Sequence, residues 1–346
     1  MLGVAIIGAG NIGKVRANVI QRSRDSRVVV VADLDHARAM TLATQIGVCG
    51  TTDWQRVVRD PQVDAVVVCT PTKFHGDAAT PALQAGKHVL CEKPLARSVS
   101  EADDIVKTAE AHRRVLKTGF NYRYMDNVCK AKELIEDNAI GPLYFLRCRY
   151  GHGGRPGYEK EWCTDREISG GGVLLEQGIH ILDLVRHLLG EPARVTASTS
   201  RFFWNFPDVE DNCFLEIQTT ESQTAQIHVS WTQWINILSL EIFGRDGYLS
   251  LSGRDGHYGP QRLLWGKRQA NHGRPAEEVF EFPLENASWE NEWLEFTSAI
   301  KSGKQPMGNT ADSLRALQLV EAAYESSYRR TWVEVAPSIM LARSPK

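Results

Sequence analysis

Three clusters in this 346-residue chain have the residue types and spacing that chemistry needs. The first is Gly8-Ala9-Gly10-Asn11-Ile12-Gly13, a G-x-G-x-x-G pattern directly behind the apolar run Val4–Ile7. In that setting Gly8 permits a tight turn, Gly10 lets a pyrophosphate approach the backbone, and Gly13 lets helix and strand pack closely. A helix beginning at Asn11 and Ile12 turns N–H groups and a positive dipole end towards the phosphates. Asp33 lies 20 residues beyond Gly13, at the end of the next apolar run, where a carboxylate accepts hydrogen bonds from ribose hydroxyls. The same charge repels a 2′-phosphate, which favours NAD over NADP; Arg38, five residues on, is a cation that could offset it.

The second cluster is Cys69-Thr70-Pro71-Thr72-Lys73-Phe74-His75 together with Cys91-Glu92-Lys93-Pro94. Both stretches end apolar runs, and ligands of doubly wound sheets sit at the carboxyl ends of strands. That places Thr70, Pro71, Glu92, Lys93 and Pro94 at a crevice. The third cluster is Gly170-Gly171-Gly172 leading into a helical stretch with Glu176 and His180. A spacing of four puts the two on one helix face, where His180 can pass a proton to or from a hydroxyl. A His–carboxylate pair filling a buried helix face is the plainer alternative. Asp183, three residues on, either orients the imidazole or lies on the helix surface.

The elements that must position these residues are legible as patterns. Val4–Ile7, Val28–Ala32, Ala65–Cys69, His88–Cys91 and Val115–Gly119 are Val-rich and nearly continuous, as for strands buried on both faces of a parallel sheet. Helical stretches separate them: Ile12–Arg22, Ala37–Ile46, His75–Ala85 and Ser100–His112, with Thr80-Pro81 able to start or kink the third. This β-α alternation predicts a doubly wound α/β domain over residues 1–122. From 123 to 346 the pattern predicts an α+β domain with a large, mainly antiparallel open sheet. Its strands are expected at Leu143–Tyr150, Val195–Thr199, Val209–Thr219, Thr224–Trp234, Ile237–Phe243 and Tyr248–Leu251. Helices are expected over 126–138, 173–189, 288–301 and 309–329. Ile227, Val229 and Trp231 alternate with His228, Ser230 and Thr232, the signature of a sheet packed on one face.

Composition bounds the remaining classes. At roughly 150 residues per domain the length suits two domains. The chain is 42% hydrophobic and 24% charged, which excludes a disordered or fibrous protein. Its 40 basic and 42 acidic residues leave a net charge of -2, so nucleic acid is not an expected partner. Seven scattered cysteines, with no C-x-x-C, argue against a disulfide framework or zinc site, and no metal is expected. Neither a signal peptide nor a membrane span is expected, and the location read from this is cytoplasmic.

These motifs together resemble the glucose–fructose oxidoreductase/inositol dehydrogenase/MocA (Gfo/Idh/MocA) family over nearly the whole chain. The carriers are Gly8–Gly13, the T-P-x-x-x-H stretch Thr70–His75, Glu92-Lys93-Pro94, Gly119-Phe120-Asn121-Tyr122-Arg123, and the triple glycine with Glu176 and His180. The resemblance implies an N-terminal Rossmann domain, a C-terminal domain whose open sheet serves oligomerisation, and NAD(P)-dependent chemistry at a sugar or cyclitol carbon. Carried over, the family's catalytic lysine is Lys93 and its active-site histidine is His180. Glu176 stands where the family often has Asp, one methylene shorter. Cofactor contacts are then expected from Gly8, Gly10, Asn11, Ile12, Gly13, Asp33, Thr70, Pro71, His75, Glu92 and Lys93. Substrate contacts are expected from Tyr122, Arg123, Arg155, Trp162, Glu176 and His180.

The implied activity is hydride transfer between a secondary alcohol carbon and NAD, with a polyol, sugar or sugar nucleotide as substrate. A homodimer or homotetramer assembled through the C-terminal sheet is the expected quaternary form. Three other readings share the motifs: a nucleotide-sugar 3-dehydrogenase or ketoreductase, NAD-assisted glycoside cleavage, and a catalytically silent NAD-binding regulator. A sugar diphosphate would need cations such as Arg155, Lys160 and Arg166.

Overall fold

The computed structural model describes residues 1–271 and 273–335. Residues 336–346, expected to end the second domain, lie outside the described residues. By internal contacts the chain forms two units. The first comprises Met1–Phe120, Glu167–Gly170 and Trp289–Arg315, and the second Asn121–Arg166, Gly171–Ser288 and Ala316 onward.

The first unit is built on six parallel strands: β1 (Leu2–Ile7), β2 (Ser26–Ala32), β3 (Cys49–Thr51), β4 (Ala65–Val68), β5 (His88–Cys91) and β6 (Leu116–Thr118). Their order is β3-β2-β1-β4-β5-β6, the doubly wound arrangement, which reverses direction between β1 and β4. The Val-rich runs are the sheet centre, and Val4, Ile6, Val66, Val67 and Leu90 have no exposed surface. The connecting helices are α1 (Asn11–Arg22), α2 (His36–Ile46), the short α3 (Trp54–Val57), α4 (His75–Gln84) and α5 (Val99–Ala111). Helix α4 contains Thr80-Pro81 within it, so that step does not start a helix. Three-residue β3 was not anticipated, because Cys-Gly-Thr carries no apolar run.

A single break between 122 and 123 is not the division the contacts draw. Trp293 and Phe296 join the core formed by Val4, Ile6, Ile20, Val28 and Leu42. The Trp293 indole N–H also donates to Ser26 Oγ at 2.8 Å. Apolar burial therefore returns residues 289–315 to the first unit across more than 160 positions of sequence. Local pattern cannot report that.

In the second unit, α6 (Asp126–Glu136) and β7 (Leu143–Gly151) are followed by α7 (Arg166–Ser169), a turn that straddles the two units. A π turn, Leu174–Gly178, then passes directly into α8 (Ile179–Leu188). The remaining strands are β8 (Pro192–Ser200), β9 (Asn212–Thr219), β10 (Thr224–Ser230), β11 (Ile237–Gly244), β12 (Gly247–Ser252), β13 (Arg262–Lys267), β14 (Ala276–Glu281) and β15 (Val333–Glu334). Helices α9 (Ser288–Ser302) and α10 (Thr310–Arg329) complete the described chain. The nine-stranded sheet runs β14-β13-β12-β11-β7-β10-β9-β8-β15, antiparallel except for the β7–β10 pair.

The period-two pattern does set its faces. Leu146, Cys148 and Tyr150 on β7 and Ala225, Ile227 and Val229 on β10 are buried, and α8 and α6 pack on β7 and β12 respectively. The opposite face carries Arg147, Arg149, Glu216, Gln226, His228 and Glu241, along a groove of about 610 Å³. Strands β13 and β14 were not anticipated, since Ala276–Glu281 reads A-E-E-V-F-E, with too few apolar residues to announce a strand.

Candidate functional site

The expected site residues fall into two groups, one in each unit. In the first unit, the β1–α1 turn has the shape a dinucleotide needs. Gly8 has φ +102°, and a Cβ there would stand 2.5 Å from the Cys69 carbonyl oxygen. A Cβ on Gly13 would stand 2.0 Å from the Gly8 oxygen. At Gly10 a Cβ would meet nothing within 4 Å, so the space over the turn is open. No side chain caps the α1 N-terminus, and its first N–H groups point into that space with the helix dipole. At the end of β4 the Thr70 hydroxyl oxygen is buried with no hydrogen-bond partner among the described residues. An open crest, uncapped N–H groups and an orphaned hydroxyl fit a bound dinucleotide.

Asp33 accepts from Ala9 N at 2.7 Å through Oδ2 and from Asp35 N at 2.9 Å through Oδ1. Each oxygen keeps a second acceptor site for a ribose hydroxyl. Arg38 is drawn to Asp35, with Nε 3.4 Å from Oδ2, so the cation that could have offset Asp33 already has a carboxylate partner. Asn11 and Ile12 are exposed on the first turn of α1.

Two of the expected cofactor contacts, His75 and Glu92, are bonded to protein groups. His75 is 1% exposed, with Nδ1 2.9 Å from the Pro94 oxygen and Nε2 2.8 Å from the Thr70 oxygen. It ties the two strand-end loops together and offers no ring atom outward. Its pKa is held below the usual histidine value by burial, against the opposing pull of those hydrogen bonds. Glu92 is also buried, its Oε1 taking Nε of Arg16 at 2.7 Å and Nη2 at 2.6 Å. Arg16 in turn reaches Glu292 at 2.6 Å. Glu92 therefore anchors the loop that carries half-buried Lys93. Pro71 starts the short turn Thr72–Phe74 that leads into α4.

In the second unit the segment that follows from Gly171 and Gly172 is held by a residue the sequence did not flag. The Glu210 carboxylate accepts from Gly172 N at 3.2 Å, Leu174 N at 3.0 Å and the Tyr324 hydroxyl at 2.9 Å. Burial still pushes its pKa above the ordinary glutamate value. The π turn it supports contains Glu176, and such turns mark functional segments of helices. The negative charge of Glu176 is felt by Tyr158 and Cys163. Burial, reinforced by that charge, pushes the Cys163 thiol up to about 12.

His180, one turn on, is 6% exposed. Its imidazole stacks on the Tyr122 ring, centroids 4.0 Å apart and planes 7° from parallel. The Tyr122 hydroxyl lies 2.6 Å from the Tyr150 hydroxyl and accepts from Arg254 Nη1 at 2.6 Å. Tyr122 and His180 are thus brought together with Tyr150, Tyr258 and Arg254, none of which the sequence singled out, and Glu176 lies one turn before His180 beside Tyr158 and Cys163.

The other expected substrate contacts, Arg123, Arg155 and Trp162, have the following surroundings. Arg123 grips Asp183 through both arms, Nε–Oδ2 at 2.7 Å and Nη2–Oδ1 at 2.6 Å, with both residues buried. Asp183, 1% exposed, does not lie on the helix surface, and its pairing with Arg123 braces α8. Arg155 is paired with Glu161, Nε–Oε1 at 2.6 Å, from an exposed position on the loop. Trp162 is 38% exposed. The neighbouring Tyr158 is the buried member of the loop, packed edge-on against Trp204, Phe206 and Trp231.

The fold and the glycine crest define an oxidoreductase class with an NAD-binding Rossmann domain. Residues 2–120 match the family described as "Oxidoreductase family, NAD-binding Rossmann fold", and residues 128–250 match the "GFO/IDH/MocA C-terminal domain". The chain belongs to the Gfo/Idh/MocA family of oxidoreductases. It is 34% identical over 204 residues to the D-glucoside 3-dehydrogenase of Escherichia coli (strain K12), a match spanning 58% of each chain. It is 28% identical over 342 residues to the inositol 2-dehydrogenase of Rhizobium meliloti (strain 1021), covering 96% of this chain and 98% of that one. Among solved structures it resembles a levoglucosan dehydrogenase in complex with NADH and levoglucosan. That pair has a TM-score of 0.86 and 25% identity over 98% of this chain and 100% of the other.

Proposed function

We propose that this protein is an NAD-dependent dehydrogenase that oxidises a secondary alcohol carbon of a sugar or cyclitol, or reduces the matching ketone. The observation that carries the reading is the open crest over Gly10 beside uncapped α1 and Asp33, in a chain whose relatives are named for sugar and inositol dehydrogenation. Gly8, Gly10, Gly13, Asn11 and Ile12 hold the pyrophosphate, Asp33 the adenosine ribose, and Thr70 and Pro71 line the nicotinamide end. The tie between Arg38 and Asp35 supports NAD rather than NADP. When bound, the nicotinamide supplies the acceptor or donor of the hydride.

Lys93 hydrogen-bonds the reacting oxygen, and His180 takes the hydroxyl proton in oxidation and returns it in reduction. Glu176 and Tyr122 contact the substrate's other hydroxyls. No helix among the described residues is long and apolar enough to cross a membrane, and a cytoplasmic location accompanies this reading. We further propose a homodimer or homotetramer assembled on the charged open face of the nine-stranded sheet.

A panel of inositols, hexoses, anhydrosugars, glycosides and sugar nucleotides, scored for NADH at 340 nm, tests the assignment. Lys93→Met and His180→Asn are expected to lower kcat by about 10²–10³-fold, with NADH affinity near that of the parent. Either variant keeping most of its turnover overturns its role. Aglycone released without net NADH points to redox-assisted cleavage, and tight NAD binding without turnover to a regulator.

A further inference from the structure

We propose that Arg254 is a positioning residue for His180, acting through the ring of Tyr122. Arg254 sits in the loop after β12, 74 positions beyond His180, and nothing in the motifs points to it. The argument starts from the stack. At 4.0 Å and 7° the Tyr122 ring covers one whole face of the imidazole, so His180 cannot rotate about its ring axis without displacing Tyr122. Tyr122 is itself only 4% exposed, and its far end is held twice, by Arg254 Nη1 and by the Tyr150 hydroxyl, each at 2.6 Å.

The two holds are not equivalent. A guanidinium donates and never accepts, so it fixes the Tyr122 oxygen as acceptor and leaves the phenolic proton for Tyr150 or a ligand. A tyrosine hydroxyl can rotate its proton either way. Arg254 is in turn located by Asp255 Oδ1 at 2.9 Å and by the Tyr258 ring 4.2 Å beneath its guanidinium. The result is a rigid line: Asp255 and Tyr258 set Arg254, Arg254 sets Tyr122, and Tyr122 sets the plane of His180. Small angular errors in a proton-transferring group cost rate steeply, which is what such a line prevents.

This inference rests on the reading of His180 as the proton-transferring group only for its kinetic consequence. The structural arm of the test stands without it. In protein with isotope-labelled histidine, His180 is assigned by His180→Gln, and its ring protons are expected to be shifted upfield by the overlying Tyr122 ring. Arg254→Met should move that resonance towards the unstacked position, and Arg254→Lys, which keeps a donor, should largely restore it. Once the panel above has found a substrate, Arg254→Met should lower kcat by about 10- to 100-fold with the KM for NAD little changed, and the lysine variant should recover most of the loss. An unchanged His180 resonance in Arg254→Met overturns the proposal. So does an equal loss in the methionine and lysine variants that follows a lowered melting temperature, because Arg254 then serves only stability. If no substrate is turned over, the proposed function fails while the resonance arm still decides this one.

Discussion

At the scale of single residues, the chemistry depends on which groups face outward and which are already satisfied. Asp33 keeps an acceptor site on each carboxylate oxygen, whereas Arg38 is turned to Asp35. Asp33→Ser is therefore expected to move the ratio of NADPH to NADH dissociation constants towards NADPH by on the order of 10-fold, about 1.4 kcal/mol, read by nucleotide fluorescence. An unmoved ratio removes Asp33 from the ribose site. His75, Glu92, Arg123 and Arg155 share the opposite condition. Each has the residue type of a ligand contact, and each is bonded to a group of the protein, Arg155 from an exposed position. Residue type and position at a strand end are visible in sequence, but satisfaction is not where the partner is remote: Asp183 lies 60 positions from Arg123 and Arg16 76 from Glu92.

At the scale of elements, α1 is tied into the first unit by a buried charge relay. Arg16 has no exposed surface, bridges Glu92 and Glu292 at 2.6 Å each, and lies 4.5 Å from the Trp289 ring centroid. Burial pushes Glu292 above the ordinary carboxylate range, opposed by Arg16 and Lys117. Removing the guanidinium leaves two buried carboxylates without it, and such losses cost about 3–5 kcal/mol. Arg16→Met should lower the urea unfolding midpoint accordingly, and adding Glu292→Leu should recover part of the loss. Equal midpoints for parent and Arg16→Met would contradict this account. The π turn makes a related point about elements. A regular helix was expected over 173–189, and the segment is helical, but the wider turn at Leu174–Gly178 is held by Glu210 and Tyr324 from other elements. Helical periodicity reports the face, not the pitch.

At the scale of the whole molecule, buried His75 and half-buried His88, His152 and His228 give stability a pH dependence of definite sign. His75, His88, His152 and His228 all lie below the usual histidine value, burial being the first cause in each. His152 is pulled down to about 4 by burial and then by Arg155 and Arg254. Between that value and about 6.5 the unfolded chain binds more protons than the folded one. Stability from these groups is therefore complete above about pH 6.5 and declines as pH falls towards 4. Melting temperature measured from pH 7.5 to 4.5 should fall through that window, and His152→Gln should reduce the slope; a flat profile contradicts the assignment.

The open sheet face gives the second prediction at this scale. Phe214 is 45% exposed and stacks on His228 at 4.0 Å, among arginines and glutamates that can pair across a twofold axis. Light scattering should report twice or four times the chain mass, and Phe214→Asp should halve it. A monomeric parent removes the interface.

Much of this protein was determined by sequence alone, for a local reason. Continuous Val-rich runs, period-two strands and glycines with forced spacing are set by neighbours a few residues apart. The doubly wound unit, the antiparallel sheet, the glycine crest and the family follow from them. Tertiary structure decided the rest, because it depends on residues that only folding brings together. It returned Trp293 and Phe296 to the first core, closed Arg155 and Arg123 on carboxylates, and laid the Tyr122 ring over His180 with Arg254 behind it. Burial and hydrogen-bond satisfaction belong to pairs of residues, and a sequence read along its length shows only one of each pair at a time.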